Sequence, residues 1–272
     1  MKVLVTNDAL CIGCKLCEDV CSQAWYKDIN TGKSSIRIGS LGNAEWAMEV
    51  CSQCGECIDI CPADALYRDK SGVVRIKKKE CVGCLSCVGF CPTHTMYYHQ
   101  DYVEPIKCIS CGLCVKQCPT GALSFRRADG EGERAPEQNS VAVSNNGALY
   151  FRGELEIEGA GEDMPGVRFR AALCRCGKSK NKPSCYNSHE TAGFVDRGGI
   201  GEGGDGCEAL GGPLKVQPMK DGPVVISGNV EMIAGSGRVA WRGTKAALCR
   251  CGASNNKPFC DGSHRGVGFT SD

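Results

Sequence analysis

The sequence has no surplus of charge: 32 lysines and arginines stand against 31 aspartates and glutamates in 272 residues. That balance argues against a broad electrostatic grip on nucleic acid or an anionic membrane, so neither is expected as a partner. No apolar run approaches the roughly 18 residues that a membrane-spanning helix needs. The opening MKVLVTNDALCIGCKLC has no basic stretch followed by an apolar one, and Arg126-Arg127 lies too far along for a twin-arginine signal. A cytoplasmic location is therefore expected. There is no dinucleotide glycine fingerprint between strand and helix, no phosphate-binding P-loop and no nucleophile elbow. The chain is accordingly read as a non-catalytic protein with no catalytic residues. Large aliphatic residues are sparse in the first half, so metal ligation is expected to supply much of the folding free energy there.

What the chain does have is 23 cysteines. In a small secreted protein they would suggest a disulfide framework, and in a reducing compartment they suggest metal. Spacing decides between the two. The unit C-x2-C-x2-C-x3-C occurs four times: Cys11, Cys14, Cys17, Cys21; Cys51, Cys54, Cys57, Cys61; Cys81, Cys84, Cys87, Cys91; and Cys108, Cys111, Cys114, Cys118. Three cysteines spaced by two residues wrap once around a cubane cluster, and the fourth points away to a neighbouring one. The last three runs end in Cys-Pro, the ferredoxin signature in full, whereas the first ends in Cys21-Ser22. Zinc ribbons use two C-x2-C pairs rather than triplets with a remote fourth thiol, so four 4Fe–4S clusters are expected.

A second repeat system follows. AALCRCG at 171–177 recurs unchanged at 246–252, and the register continues through Ser179 and Ser254, Pro183 and Pro258, Cys185 and Cys260, and His189 and His264. Such self-similarity means two copies of one structural unit. Each copy offers three thiols and an imidazole: Cys174, Cys176, Cys185 and His189, then Cys249, Cys251, Cys260 and His264. Ligand chemistry alone admits a Cys3His zinc site here as well as a 2Fe–2S cluster.

The first half, from CIGCKLCEDVC to CISCGLCVKQCPTGAL, resembles the four-cluster iron–sulfur subunits of molybdenum and tungsten oxidoreductases. Its GKSSIRI insertion is most similar to the small polyferredoxin partners of tungsten aldehyde oxidoreductases. That resemblance implies four sets: Cys11, Cys14, Cys17 with Cys118; Cys108, Cys111, Cys114 with Cys21; Cys51, Cys54, Cys57 with Cys91; and Cys81, Cys84, Cys87 with Cys61. Pairing run one with two and three with four uses the same cysteines, and spacing favours neither. The second half ends its ligand stretch in Cys260-Asp-Gly-Ser-His264 and resembles the CDGSH iron–sulfur family. That resemblance implies two 2Fe–2S clusters on the residues named above. The first copy departs from it, with Tyr186-Asn187 in place of Asp-Gly. Asn tolerates a left-handed turn, but the Tyr removes a carboxylate that caps it.

The expected fold is α+β: a double ferredoxin-like domain over 1–127, a linker over 128–140, CDGSH-type repeats over 141–197 and 214–272 built as small β-sandwich units, and a glycine-rich connector over 198–213. TGKSSIRIGS and ALYRDKSGVVRI read as hairpin pieces, LYFRGELEIEG and PVVISGNVEMI as half-buried strands. His94 reads as a surface or packing residue, Cys207 as a free thiol, and Lys77-Lys78-Lys79 as a solvated strand end. Trp25, Trp46 and Trp241 are expected to shield clusters or fill small cores. Together these features point to an electron relay serving a redox enzyme subunit, by resemblance an aldehyde oxidoreductase. The alternative is a cluster carrier or redox sensor, since histidine ligation eases cluster release and couples charge to protons.

Overall fold

Proline decides where the short helices of the first half stop. A residue preceding proline is pushed out of the helical region, so a run ending in Cys-Pro cannot carry its helix through the fourth cysteine. In the computed structural model, which describes residues 2–43, 45–127, 135–159, 168–185, 187–201, 203–208 and 211–271, three runs behave in this way and the first does not. In chain order the elements are β1 (Lys2–Thr6), α1 (Leu16–Tyr26), β2 (Arg37–Gly42), β3 (Glu45–Glu49), α2 (Glu56–Asp59), β4 (Leu66–Arg68), β5 (Val74–Ile76), α3 (Ser86–Gly89), β6 (Met96–Tyr97), β7 (Ile106–Lys107), α4 (Leu113–Gln117) and β8 (Leu123–Arg127). Helix α1, whose run ends in Cys21-Ser22, continues for eleven residues, whereas α2, α3 and α4 span four or five.

The described residues form two compact units, one reaching Cys118 and including Ala122–Arg127, the other covering 135–271 with Pro119–Gly121. In the first unit β1 and β8 pair antiparallel, with Leu4 opposite Phe125. The two expected hairpins are present as β2–β3 and β4–β5, although 31–33 of the first stretch forms a 3-10 turn rather than strand. Two small cores lie here and cysteine is part of both. One joins Leu4, Ile36, Ile38, Val115, Leu123 and Phe125 to Cys11, Cys17, Cys114 and Cys118. The other joins Leu66, Val74 and Met96 to Cys57, Cys87 and Cys91.

The second unit contains β9 (Ser140–Val143), β10 (Leu149–Arg152), β11 (Glu154–Ile157), β12 (Arg170–Leu173), the turn of helix α5 (Ser188–Thr191), β13 (Pro213–Pro218), β14 (Val224–Ile233) and β15 (Val239–Leu248). Where one small sandwich per repeat was expected, strands of both repeats join a single seven-stranded sheet. The repeats exchange pairing. In the first repeat β11 runs parallel to β13 of the second, with Glu156 opposite Lys215. The end of β14 runs parallel to β9 of the first, with Glu231 opposite Ser140. These contacts are equivalent under the sequence duplication, so the exchange is a pseudo-two-fold one. Val141, Leu149, Phe151 and Leu155 of the first repeat share one core with Leu214, Val216, Ile226, Met232 and Leu248 of the second. At about 1.5–3 kcal/mol for each large side chain fully buried, neither repeat reaches its full stability without the other. Asn139 breaks the symmetry where Leu214 stands in the second repeat. Its buried amide donates to Gly212 O (2.8 Å) and Asn229 O (2.9 Å) and accepts from Glu154 N (3.0 Å).

Candidate metal centres

Each C-x2-C loop of the first unit needs a left-handed residue to turn its two thiols to one side. Gly13, Gln53, Gly83 and Ser110, the residues before the second cysteine, all have φ between 52° and 69°. Lys15, Gly55, Leu85 and Gly112, just after it, are left-handed as well and begin the short helices. With the loops shaped alike, the remaining question is which fourth thiol each triplet meets. Cys118 lies close enough to Cys11, Cys14 and Cys17 to act on all three electrostatically. Cys21 stands in that relation to Cys108 and Cys114, and the two line one cavity with Cys111. Cys91 lines a cavity with Cys51, Cys54 and Cys57. Cys61 acts on Cys87, in whose field Cys81 also stands. The thiols of run one thus lie near Cys118 of run four, and those of run two near Cys91 of run three. Between sets, Cys57 acts electrostatically on Cys87, Cys51 on Cys108 and Cys17 on Cys114. The four sets therefore stand in a row.

Burial makes several of these thiols poor acids on their own. It raises Cys11 and Cys87 to about 11 and Cys108 to about 12, and neighbouring thiols add to the effect. Cys17 and Cys114 are pushed higher still for the same reasons. A cationic iron centre reverses that logic, because a coordinating thiol gives up its proton to the metal. Backbone amides already point at several sulfurs: Ser35 N at Cys21 Sγ (3.4 Å), Ala65 N at Cys61 Sγ (3.3 Å) and Ser110 N at Cys108 Sγ (3.4 Å). Such donors favour the thiolate, and the sets fit a thiolate-ligated cluster. Among the described residues no three His, Cys, Asp or Glu gather as tightly as a single metal ion requires.

In the second unit the two ligand stretches are built alike. Cys174 N donates to Pro183 O (2.9 Å) and Cys185 N to Ala172 O (2.8 Å); Cys249 N donates to Pro258 O and Cys260 N to Ala247 O, both at 2.8 Å. The buried Ser179 and Ser254 hydroxyls close the loops by donating to Ser184 O (2.6 Å) and Phe259 O (2.7 Å). The pairs Cys174–Cys176 and Cys249–Cys251 each stand 3.6 Å apart at sulfur. His189 Nδ1 lies 3.6 Å from Cys185 Sγ, and His264 Nδ1 lies 3.4 Å from Cys260 Sγ. Both imidazoles are half-buried, and burial lowers the pKa of His189, which favours the neutral form that binds metal. Cys174 and Cys176 share a hydrogen bond that, with nearby backbone amides, brings the Cys174 pKa down. Asn187 is left-handed (φ 57°), as Gly262 is (φ 89°), so the turn survives the exchange. Asp261 caps that turn at Ser263 N (3.0 Å) and accepts from Asn255 N (2.8 Å). Its counterpart Tyr186 lies outside the described residues.

Several residues that shape these sites carry no motif. Arg175 and Arg250, the central residues of the two C-R-C segments, are buried. Arg175 donates to Gly147 O (2.8 Å), Asp196 Oδ1 (2.5 Å) and Ser144 O; Arg250 donates to Gly222 O (2.9 Å), Ser271 Oγ (3.0 Å) and Met219 O. The unchanged arginine in a duplicated segment was the available signal. Gln53 and Lys107 are buried beside Cys51 and gave none. Trp46 covers Gly13 and Trp241 enters the sheet core, whereas Trp25 is about half exposed at the rim of the Cys108 cavity. Cys207 donates to Gly243 O (3.4 Å), His94 is exposed at a left-handed turn, and Lys77 and Lys78 pair with Glu80 and Glu104.

Comparison with known proteins agrees with both halves. The model for an iron-binding zinc finger of CDGSH type matches residues 146–190 and 221–265. A 4Fe–4S dicluster domain model matches residues 50–95, and 4Fe–4S binding domain models match 101–124 and 9–26. The thiosulfate reductase electron transfer subunit PhsB of Salmonella typhi is 29% identical over 189 residues, covering 58% of this chain and 95% of PhsB. Protein NrfC of Escherichia coli (strain K12) is 31% identical over 147 residues, or 46% of this chain and 65% of NrfC. The uncharacterized ferredoxin-like protein YdhX of the same strain is 30% identical over 88 residues, and the match spans only 40% of YdhX. The chain carries ferredoxin-type 4Fe–4S domains and a tandem CDGSH-type half. Among its described residues no helix is long and apolar enough to cross a membrane.

Proposed function

We propose that this chain is a non-catalytic electron-transfer subunit of the cytoplasm that serves a redox enzyme. Cys11, Cys14, Cys17 and Cys118; Cys108, Cys111, Cys114 and Cys21; Cys51, Cys54, Cys57 and Cys91; and Cys81, Cys84, Cys87 and Cys61 would each hold a 4Fe–4S cluster. Cys174, Cys176, Cys185 and His189, and Cys249, Cys251, Cys260 and His264, would each hold a 2Fe–2S cluster. When bound, the clusters supply one-electron carriers, with all-thiolate centres near −400 mV and histidine-ligated ones at higher potential. The chain's own residues hold each thiolate in place, aim amides at sulfur and keep water from the buried ligands.

The observation that carries this reading is the row of four sets, each with three local thiols and one from a distant run. Similarity to PhsB supports a reductase-type catalytic partner, and the GKSSIRI resemblance supports an aldehyde oxidoreductase; the chemistry common to both is a catalytic subunit that exchanges single electrons. Anaerobic redox titration followed by EPR tests the reading, with iron analysis expected to give roughly 20 irons per chain for these cluster types. Redox-silent clusters would overturn it.

A second reading rests on the half-buried His189 and His264, whose position lets solvent reach the imidazole. Such ligands suit a carrier that donates 2Fe–2S units to other proteins. Incubation with an apo-ferredoxin separates the two: an acceptor that stays empty while both clusters remain excludes the carrier.

A further inference from the structure

Runs two and four carry a side chain where the other two loops have glycine. Runs one and three place Gly13 and Gly83 in the left-handed slot before the second cysteine, but run two places Gln53 there at φ 60°. A side chain in that region costs on the order of 1 kcal/mol, and something must offset the cost. Gln53 is only 1% exposed. Its Nε2 donates to Cys108 O (3.0 Å), and its Oε1 accepts from Val74 N (3.0 Å) and from Lys107 Nζ (3.1 Å).

Lys107 is itself buried, at 6% exposure. Its Nζ donates to Gln53 Oε1, to Cys108 O (3.1 Å) and to Cys51 Sγ (3.4 Å). Three acceptors match the three protons of an ammonium, and a neutral amine lacks the third. Among the described residues no carboxylate lies within ion-pair distance of it. Burying an unpaired ion costs several kcal/mol, so its counter-charge has to be the thiolate set itself. Elsewhere in this unit the donors described at ligand sulfurs are neutral amides and hydroxyls, as at Cys21, Cys61, Cys84, Cys91 and Cys108. In run two a cation stands against a ligand sulfur, and a second cation, Arg68, donates to the carbonyls of Gln53 (3.1 Å) and Cys54 (2.8 Å).

We propose that Lys107, held by Gln53, is a positioning residue that raises the reduction potential of the cluster on Cys51, Cys54, Cys57 and Cys91 above the value those four thiolates alone would give. The inference rests on the cluster assignment made under the proposed function. Adding one electron makes the centre more negative, and a fixed positive charge stabilises the reduced form more than the oxidised one. No proton or co-reactant is needed. Because this set is second in the row, beside Cys87 on one side and Cys108 on the other, the lysine would make an inner site of the relay the place where an electron rests.

The test uses the full chain, purified without oxygen, in EPR-monitored redox titrations of wild type, Lys107→Met, Lys107→Gln and Lys107→Arg, with the exposed Lys77→Met as control. In Lys107→Met one cubane potential is expected to fall by at least the equivalent of a tenfold change in its one-electron equilibrium, which is 59 mV. A smaller fall is expected at the neighbouring Cys108 set, and none at the other two. Lys107→Arg restores the wild-type value and Lys77→Met leaves all four unchanged. Four intact cubanes with unmoved potentials, or with all four shifted together, would overturn the proposal. Loss of one cluster from both neutral variants but not from Lys107→Arg would also overturn it, by making the charge a condition of assembly. A wild type without four cubanes would instead refute the electron-carrier reading.

Discussion

A Cβ placed on Gly177 would sit 2.7 Å from the carbonyl oxygen of Cys251, and one on Gly252 would sit 2.8 Å from that of Cys176. The two ligand stretches therefore meet backbone to backbone, with Cys176 and Cys251 joined by an antiparallel bridge. Gly177 is also left-handed, at φ 79°. Substitution by alanine costs roughly 1–2 kcal/mol for the backbone alone, before the overlap is relieved. Gly177→Ala is expected to lose or weaken both 2Fe–2S centres and to lower the melting temperature. Iron content and visible absorbance of the variant check this, and wild-type values for both would show that the approach does not matter.

Arg175 is 2% exposed, and its guanidinium serves Asp196 and the carbonyls of Gly147 and Ser144. Removing it takes the counter-charge from the Asp196 carboxylate and a donor from the carbonyls of Gly147 and Ser144. Arg175→Met is expected to cost about 3 kcal/mol, read from urea unfolding of the loaded protein. The surface pair of Arg242 and Glu231, 3.3 Å apart, is expected to be worth under about 1 kcal/mol. A cost for Arg175→Met as small as that of Arg242→Met would contradict the role given to burial.

The meeting of runs two and three makes a prediction about single cysteines. Cys91 belongs to run three by sequence but lines the cavity of Cys51, Cys54 and Cys57. Cys91→Ser is expected to perturb the EPR signal and potential of the same cluster that Cys54→Ser perturbs. Cys84→Ser should affect a different one. A shared signature for Cys91→Ser and Cys84→Ser would restore the local reading of the runs.

Lys33 is buried between Asp28 and Asp101, at 2.8 Å from each carboxylate. Its hydrogen bond holds the Asp101 carboxyl below the usual carboxylate range. In the folded state Asp101 thus takes up its proton at lower pH than in the unfolded chain, whose ordinary value is about 3.9. The stabilisation is present at neutral pH and is lost as pH falls through the carboxylate range. Urea midpoints of wild type should drop more steeply from pH 6 to pH 3 than those of Lys33→Met. Parallel curves would remove the ion pair from the account.

Much of the candidate site was legible because cluster ligation is local. Three thiols two residues apart, a Cys-Pro ending and a duplicated C-R-C segment each prescribe a short backbone path, and the structure follows them, down to the longer α1 where Ser22 replaces proline. The turn at Asn187 was legible for the same reason. The partner of each fourth thiol was not, since the spacing of Cys118 from Cys11 says nothing of where the chain returns. Gln53 and Lys107 were invisible because neither residue type signals burial; only the approach of Cys51 to Cys108 gives both side chains their partners.

By itself the amino-acid order determined the four ferredoxin-type runs and the two Cys3His stretches, because those spacings set local geometry. Tertiary structure alone decided that run one closes on run four, that the two CDGSH-type repeats trade strands into one sheet, and that a buried ammonium rests on Cys51. The reason is physical: spacing governs atoms a few bonds apart, whereas desolvation, charge and strand pairing act between atoms that only the folded chain brings together.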